Sequence, residues 1–224
     1  YFRSHVSENC YYDPDLTLKT PQIIAKYAGA VEIYDVTTQD GYILKLFRIP
    51  RINPKGVILI HHSIATYSRI YLWQGNNSLG EHIGKFEHLI TFKIIALTLW
   101  HNGYDVWLAN HRGTSYSNKH VNMTTSDYSY WDFSFHEIGL YDVSSEIEFI
   151  RKKTNGMKII YIGHSLGSGV GLVYASLKSD QARAYLKSMI LLAPPCYLGH
   201  IAGAAVVFKG FEPIFKRFDY YTRS

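Results

Sequence analysis

The residue most able to do chemistry in this chain is Ser165. It lies in Gly163-His164-Ser165-Leu166-Gly167, after the apolar run Met157-Lys158-Ile159-Ile160-Tyr161-Ile162 and before a helix-like stretch. A serine flanked by glycines two before and two after it, at a strand-to-helix turn, is forced into strained backbone geometry and lifted clear of the sheet. The Leu166 N–H and the start of the following helix would then face negative charge developing on a substrate oxygen. This is the pattern of a serine hydrolase. Other polar groups suggest less. His61 and His62 are consecutive on a predicted strand, so they should point to opposite faces and make poor metal co-ligands. His136 and Glu137 fail the spacing test for a metal site. Asn110 and Arg112 follow a strand and are expected to pin their loop by hydrogen bonds rather than to touch substrate.

Composition bounds the framework. With 224 residues, 47% of them hydrophobic and 18% charged, the chain can bury one good-sized core and is not of the disordered class. Its net charge of +5 is scattered, which argues against a nucleic-acid stripe and allows at most weak attraction to a membrane surface. Cys10 and Cys196 are the two cysteines, too few for a disulfide framework or a cysteine metal knot, although one bridge is possible. Two glycosylation sequons, Asn76-Asn77-Ser78 and Asn122-Met123-Thr124, point towards a secretory route. The absence of an initiating Met, a leader and a long apolar span is read as processing or a fragment, with the fragment reading preferred.

Apolar runs alternate with amphipathic stretches in the β-α-β manner of a mainly parallel sheet, so the predicted class is α/β. Val31 to Thr37 and Tyr42 to Arg48 flank the turn signal Asp40-Gly41 and form an antiparallel start. Gly56 to His61, Asp105 to Asn110, Lys158 to Gly163 and Met189 to Ala193 read as buried strands. Helices are expected over Pro21 to Tyr27, part of Ser68 to Trp100, Ile138 to Lys153 and Leu166 to Lys178. In the third of these, Ile138, Val143, Ile147 and Ile150 form the apolar face, and Glu146 and Glu148 are assigned to a solvated one.

Several segments in this order resemble the acid lipase family of α/β-hydrolases, which includes gastric and lysosomal acid lipases and insect relatives. They are Thr20-Pro21-Gln22-Ile23-Ile24, Val36 to Leu44 with its Gln39-Asp40-Gly41-Tyr42, Arg48-Ile49-Pro50 and Asn77-Ser78-Leu79. The long block Gly103 to Ser117 follows, then Asp132-Phe133-Ser134-Phe135-His136-Glu137-Ile138, Tyr141-Asp142, Gly163 to Gly167 and Leu192-Ala193-Pro194. The resemblance spans about Leu18 to Ala193 and implies an α/β-hydrolase fold, here truncated before the last strands. It implies hydrolysis of neutral lipid esters at a lipid–water interface, in a secreted or lysosomal protein, with no metal, organic cofactor, nucleic acid or obligate protein partner. Ser165 would be the nucleophile, with Gly163, His164 and Gly167 completing its elbow. The oxyanion N–H groups would be those of Leu166 and of Ile64, which follows His62-Ser63. Two departures stand out: Ser63 occupies the family's glycine position and Leu166 its glutamine position.

The same resemblance makes 1–224 a single partial domain, with sheet and helices over about 18–193, the start of a cap over 194–224, and an insertion at 80–95. That insertion is either a surface loop or translated intron, the latter being preferred. In this fold the triad order is Ser, then Asp or Glu, then His. Asp180 is carried away from Ser165 by the intervening helix, and His200 reads as a cap histidine followed by Asp219, so the triad Asp and His are assigned to neither. Two readings follow: a lipase fragment without its base, or a catalytically inactive lipid-binding or regulatory product.

Overall fold

The computed structural model describes residues 15, 17–72 and 95–195. Cys10, Cys196, Asn76-Asn77-Ser78, most of the 80–95 insertion, His200, Asp219 and nearly all of the predicted cap lie outside the described residues. The expected single-domain division of the chain therefore stays an expectation.

Among the described residues seven strands form one sheet in the order β1-β2-β4-β3-β6-β7, with the short β5 pairing beside β2. The strands are β1 (Glu32–Thr37), β2 (Tyr42–Ile49), β3 (Val57–His61), β4 (Asp105–Leu108), β5 (Lys119–His120), β6 (Ile159–His164) and β7 (Leu186–Leu192). β4, β3, β6 and β7 run parallel, whereas β1, β2 and β5 join antiparallel, so the fold is α/β with a mainly parallel sheet. The alternation of side chains along β3 shows why the centre reads as an unbroken apolar run. Val57 and Leu59 enter one core with Trp107, Ile159 and Tyr161, while Ile58 and Ile60 enter the other with Val106, Leu108 and Ile162. Both faces are covered.

Helices α1 (Thr20–Ala28) and α2 (Ile95–His101) contribute Ile23, Ile24, Ala96 and Leu97 to one core. Helices α3 (Ser144–Lys153) and α4 (Leu166–Leu177) contribute Ile147, Ile150, Val170 and Tyr174 to the other. The expected helix Ile138 to Lys153 is present with a correction, since its first part, Ile138–Val143, is a π-helix. Its entry is fixed by Ser134, whose N–H and hydroxyl both donate to the Glu137 carboxylate while its Oγ accepts from the His136 N–H. A short helix α5 (Ser179–Tyr185) was not expected, and β7 begins at Leu186 rather than Met189. Asn122 of the second sequon is exposed.

Candidate active site

Ser165 occupies the turn between β6 and α4 with φ 51° and ψ −113°, conformational space that a side-chain-bearing residue rarely enters. Its surroundings leave no alternative. A Cβ on Gly163 would stand 2.5 Å from the Gly167 carbonyl oxygen, and one on Gly167 would fall on the His61 carbonyl. Strand and helix therefore approach as closely as backbone permits. The Ser165 N–H donates to the Leu192 carbonyl at 2.8 Å, and Ser168 Oγ donates to Gly163 O at 2.7 Å and is 2.9 Å from Leu192 O. Two further strained residues lie at the same C-terminal edge of the sheet, Ala65 after β3 at φ 56° and Ala193 after β7 at φ 50°. The C-terminal end of the parallel strands is where open α/β sheets carry their sites, and strained residues cluster at such sites.

The loop after β3 faces that turn. Gly167 N–H donates to His62 O at 3.1 Å, binding the loop to the start of α4. Ser63, at the family's glycine position, is not among the positive-φ residues, and the left-handed step falls two residues later on Ala65. Ile64 is 67% exposed, and neither its N–H nor that of Leu166 makes a hydrogen bond among the described residues. The Leu166 side chain packs against the core on the α3–α4 face. Both N–H groups are thus free to bind an oxygen.

Next to the serine turn and the Ile64 loop lies a buried polar layer. His61, stacked on Tyr161 with ring centroids 4.9 Å apart, has its Nε2 2.9 Å from Glu146 Oε2. The two atoms lie off the axis a hydrogen bond needs, so neither group is satisfied by the other. Burial pushes His61 down to about 3 and Glu146 upward, holding both neutral. Burial likewise lowers His62 to about 4 and His111 well below the ordinary histidine range. Arg112 is fully buried between Asp142 and Asp40, and burial pushes Asp142 up to about 7 against the pull of that guanidinium.

The stability of this layer is expected to depend on pH with a worked sign. Below pH 6.5 the unfolded chain protonates three histidines that the fold keeps neutral, so unfolding takes up three protons. Above about pH 4.5 it also releases two, those the fold holds on Asp142 and Glu146. The net uptake of one proton removes on the order of 1.4 kcal/mol per pH unit as pH falls from 6.5 to 4.5. Stability should therefore peak near pH 6.5 and decline above it, because the fold still holds protons on Asp142 and Glu146 that the unfolded chain has lost. Urea midpoints across pH 4.5–7.5 check this, and a midpoint that rises on acidification to 4.5 would contradict it.

Comparison with known proteins decides the family. Residues 56–221 match the family described as alpha/beta hydrolase fold, and residues 20–75 match the partial alpha/beta-hydrolase lipase region. The chain belongs to the α/β-hydrolase family. Among its relatives are human lipase member K, 35% identical over 190 residues, and Drosophila melanogaster lipase 1, 36% identical over 183. The Mesocricetus auratus tear acid lipase-like protein is 34% identical over 211 residues. These matches cover 81%, 82% and 90% of this chain but 43%, 38% and 48% of the relatives, so the chain spans less than half their length. Among solved structures, an alpha/beta hydrolase from Penicillium shares the fold at TM-score 0.54 and 14% identity, covering 84% of this chain and 53% of its own. A Pyrococcus furiosus esterase does so at TM-score 0.51 and 16% identity, covering 85% and 66%.

Within the chain, sequence-predicted residues fall into place unevenly. Gly163, His164, Ser165, Leu166 and Gly167 form one turn, and the Ile64 loop is bonded to it through His62 O. Asn110 pins its loop as expected, accepting from Ser68 N–H at 3.1 Å and donating to Lys45 O at 3.0 Å. Asp180 lies on the surface, bonded to Arg183 at 2.7 Å. Two expectations are corrected. Glu146 is buried, not solvated, because it sits three residues after Val143 and four before Ile150, on the apolar stripe itself. His61 and His62 do not diverge to opposite faces. β3 ends at His61, strand alternation ends with it, and both rings reach His111, at 5.0 and 4.2 Å between centroids. Among the described residues no group of three or more potential ligands is placed to hold a metal.

Proposed function

We propose that this chain is the nucleophile-bearing part of a serine-dependent lipid ester hydrolase, a triacylglycerol or cholesteryl-ester lipase of the secretory pathway acting at a lipid–water interface. Ser165 is the nucleophile, and the N–H groups of Ile64 and Leu166 stabilise the oxyanion. The observation that carries the reading is the strained Ser165 backbone at the head of α4, with the Ile64 and Leu166 N–H groups unpaired among the described residues. The acyl carbonyl would be attacked by Ser165 Oγ, its oxygen gathering charge between the two donors. A histidine oriented by a carboxylate would take the hydroxyl proton and return it to the leaving alcohol. No histidine occurs between Ser165 and Pro195, so that base belongs to sequence further along. The second reading is a lipase-like product that binds lipid without turning it over.

Turnover of a p-nitrophenyl ester and of emulsified triacylglycerol separates the two. The full-length protein should turn over both, and residues 1–224 expressed alone should show negligible rates. A rate of about 1 per second or more from 1–224 alone would place a general base within these residues and overturn the assignment of the triad. Absence of turnover by the full-length protein would select the lipid-binding reading.

A further inference from the structure

The peptide unit between Ser63 and Ile64 carries the proposed donor on one side and the Ser63 carbonyl on the other. The chain has no cis peptide among the described residues, so the two groups point in opposite directions from one rigid plane. Whatever grips the Ser63 carbonyl therefore aims the Ile64 N–H. Two groups grip it: His62 Nδ1 at 2.8 Å and Thr66 Oγ1 at 2.8 Å. The neighbouring His62 carbonyl is gripped as well, by Gly167 N–H at 3.1 Å and by His111 Nε2 at 3.2 Å.

The protonation pattern follows from what each partner can do. A backbone N–H can only donate, so the 3.1 Å contact of His111 N with His62 Nε2 makes that nitrogen an acceptor and leaves the proton of neutral His62 on Nδ1, facing Ser63 O. A backbone carbonyl can only accept, so His111 carries its proton on Nε2, facing His62 O. Each ring holds the tautomer that the other residue's backbone demands. Both are 2% exposed.

We propose that His62 and His111 are positioning residues for the oxyanion loop, a reciprocal clamp that fixes the Ser63–Ile64 peptide plane and so the direction of the Ile64 N–H. The proposal rests on the reading of Ile64 as an oxyanion donor. Leu166 N–H is fixed by the same logic without side chains, because the Ser165 carbonyl on its own peptide plane accepts from Ser168 and Gly169 N–H at 2.9 and 3.1 Å. The clamp holds only while His62 is neutral, since a proton on Nε2 would face the His111 N–H. Burial and the neighbouring His61 and His111 rings, themselves neutral, disfavour that proton; the Arg112 guanidinium acts likewise on His111, and Glu146 faces His61 in its protonated form.

The test is steady-state kinetics of the full-length protein on p-nitrophenyl butyrate, with thermal melts to verify folding. His62→Leu removes both ring contacts and should lower kcat by about 30- to 100-fold with KM within about 3-fold, the signature of a lost transition-state contact and slightly below the cost of deleting an oxyanion donor. His62→Gln, whose side chain can accept from His111 N–H and does not titrate, should recover kcat to within about 10-fold of wild type and lack any acid limb due to His62. Thr66→Val, at a half-buried position, keeps the rings and should lower kcat by about 3- to 10-fold. A folded His62→Leu with kcat within about 3-fold of wild type overturns the proposal, as does a loss carried by KM. If His62→Leu does not fold, Thr66→Val decides: unchanged kcat overturns the clamp and a kcat-only loss supports it. A wild-type protein without any Ser165-dependent rate overturns the hydrolase reading itself, an outcome distinct from active wild type with insensitive variants.

Discussion

Ser165→Ala is expected to abolish covalent labelling of the full-length protein by a fluorophosphonate and to lower its ester turnover by about 10⁴-fold or more. The substitution removes one oxygen and leaves the backbone with the same problem, because alanine at φ 51° is strained no less than serine. The surrounding bonds are untouched: the Ser165 N–H still donates to Leu192 O, and Gly163 and Gly167 still meet without side chains between them. Stability should therefore move by less than about 0.5 kcal/mol, and loss of labelling can be read as loss of the nucleophile rather than of the fold. Residual turnover would come from the two N–H donors and from binding. Labelling at an unchanged rate in the alanine variant would sink the assignment.

Arg112→Met should cost about 3–5 kcal/mol of folding stability, the range for breaking a buried ion pair from one side. The guanidinium is fully buried. It donates through Nε to Asp142 Oδ1 at 2.8 Å and through Nη1 to Asp40 Oδ2 at 2.6 Å, and it lies 3.9 Å from the centre of the Tyr42 ring. One side chain thus joins the β1–β2 turn, the loop after β4 and the π-helix. Methionine fills much of the volume and abandons Asp142, which is fully buried and, even beside the guanidinium, ionises only near pH 7, so that it must then keep its proton at neutral pH or remain an unpaired charge. Lysine is no substitute, as a single ammonium cannot hold two carboxylates in the planar fork. Arg112→Met combined with Asp142→Leu should recover part of the loss, because it removes both charges together. Chemical denaturation of the three variants measures this, and a single-variant loss under about 1 kcal/mol would show that the pair contributes little.

What the sequence disclosed depended on whether the constraint was local. The serine turn was legible because its cause lies within five residues: two glycines, a strand before and a helix after. The sheet was legible because burial on both faces leaves runs such as Val57 to Ile60 with no polar side chain. The π-helical turn was not, since Ile138, Val143, Ile147 and Ile150 keep a spacing that an ordinary helix also satisfies. Nothing in the pattern records the extra residue per turn. Burial of Glu146 had a usable signal in its place on the apolar stripe, but its neighbour His61 is separated from it by most of the domain and cannot be found by periodicity. The histidine clamp was hidden for a similar reason. The rings look like a candidate metal pair in sequence, and only the end of β3 at His61 shows that His62 has left the strand and turned to the Ser63 carbonyl.

The strand order also sets a timetable for assembly. β3 lies between β4 and β6, and its register pairs Val57 with Asp105 on one side and with Ile159 on the other. During synthesis the ribosome releases β3 about a hundred residues before its second neighbour exists. Contacts of such long sequence separation close slowly, because the chain must lose loop entropy before the pairing repays it. Until β6 arrives, one apolar edge of β3 stays uncovered and open to mispairing or to chaperones. Ser165 immediately follows β6, so the serine turn takes shape with the step that closes the centre of the sheet, and a nascent chain carries no formed site before then.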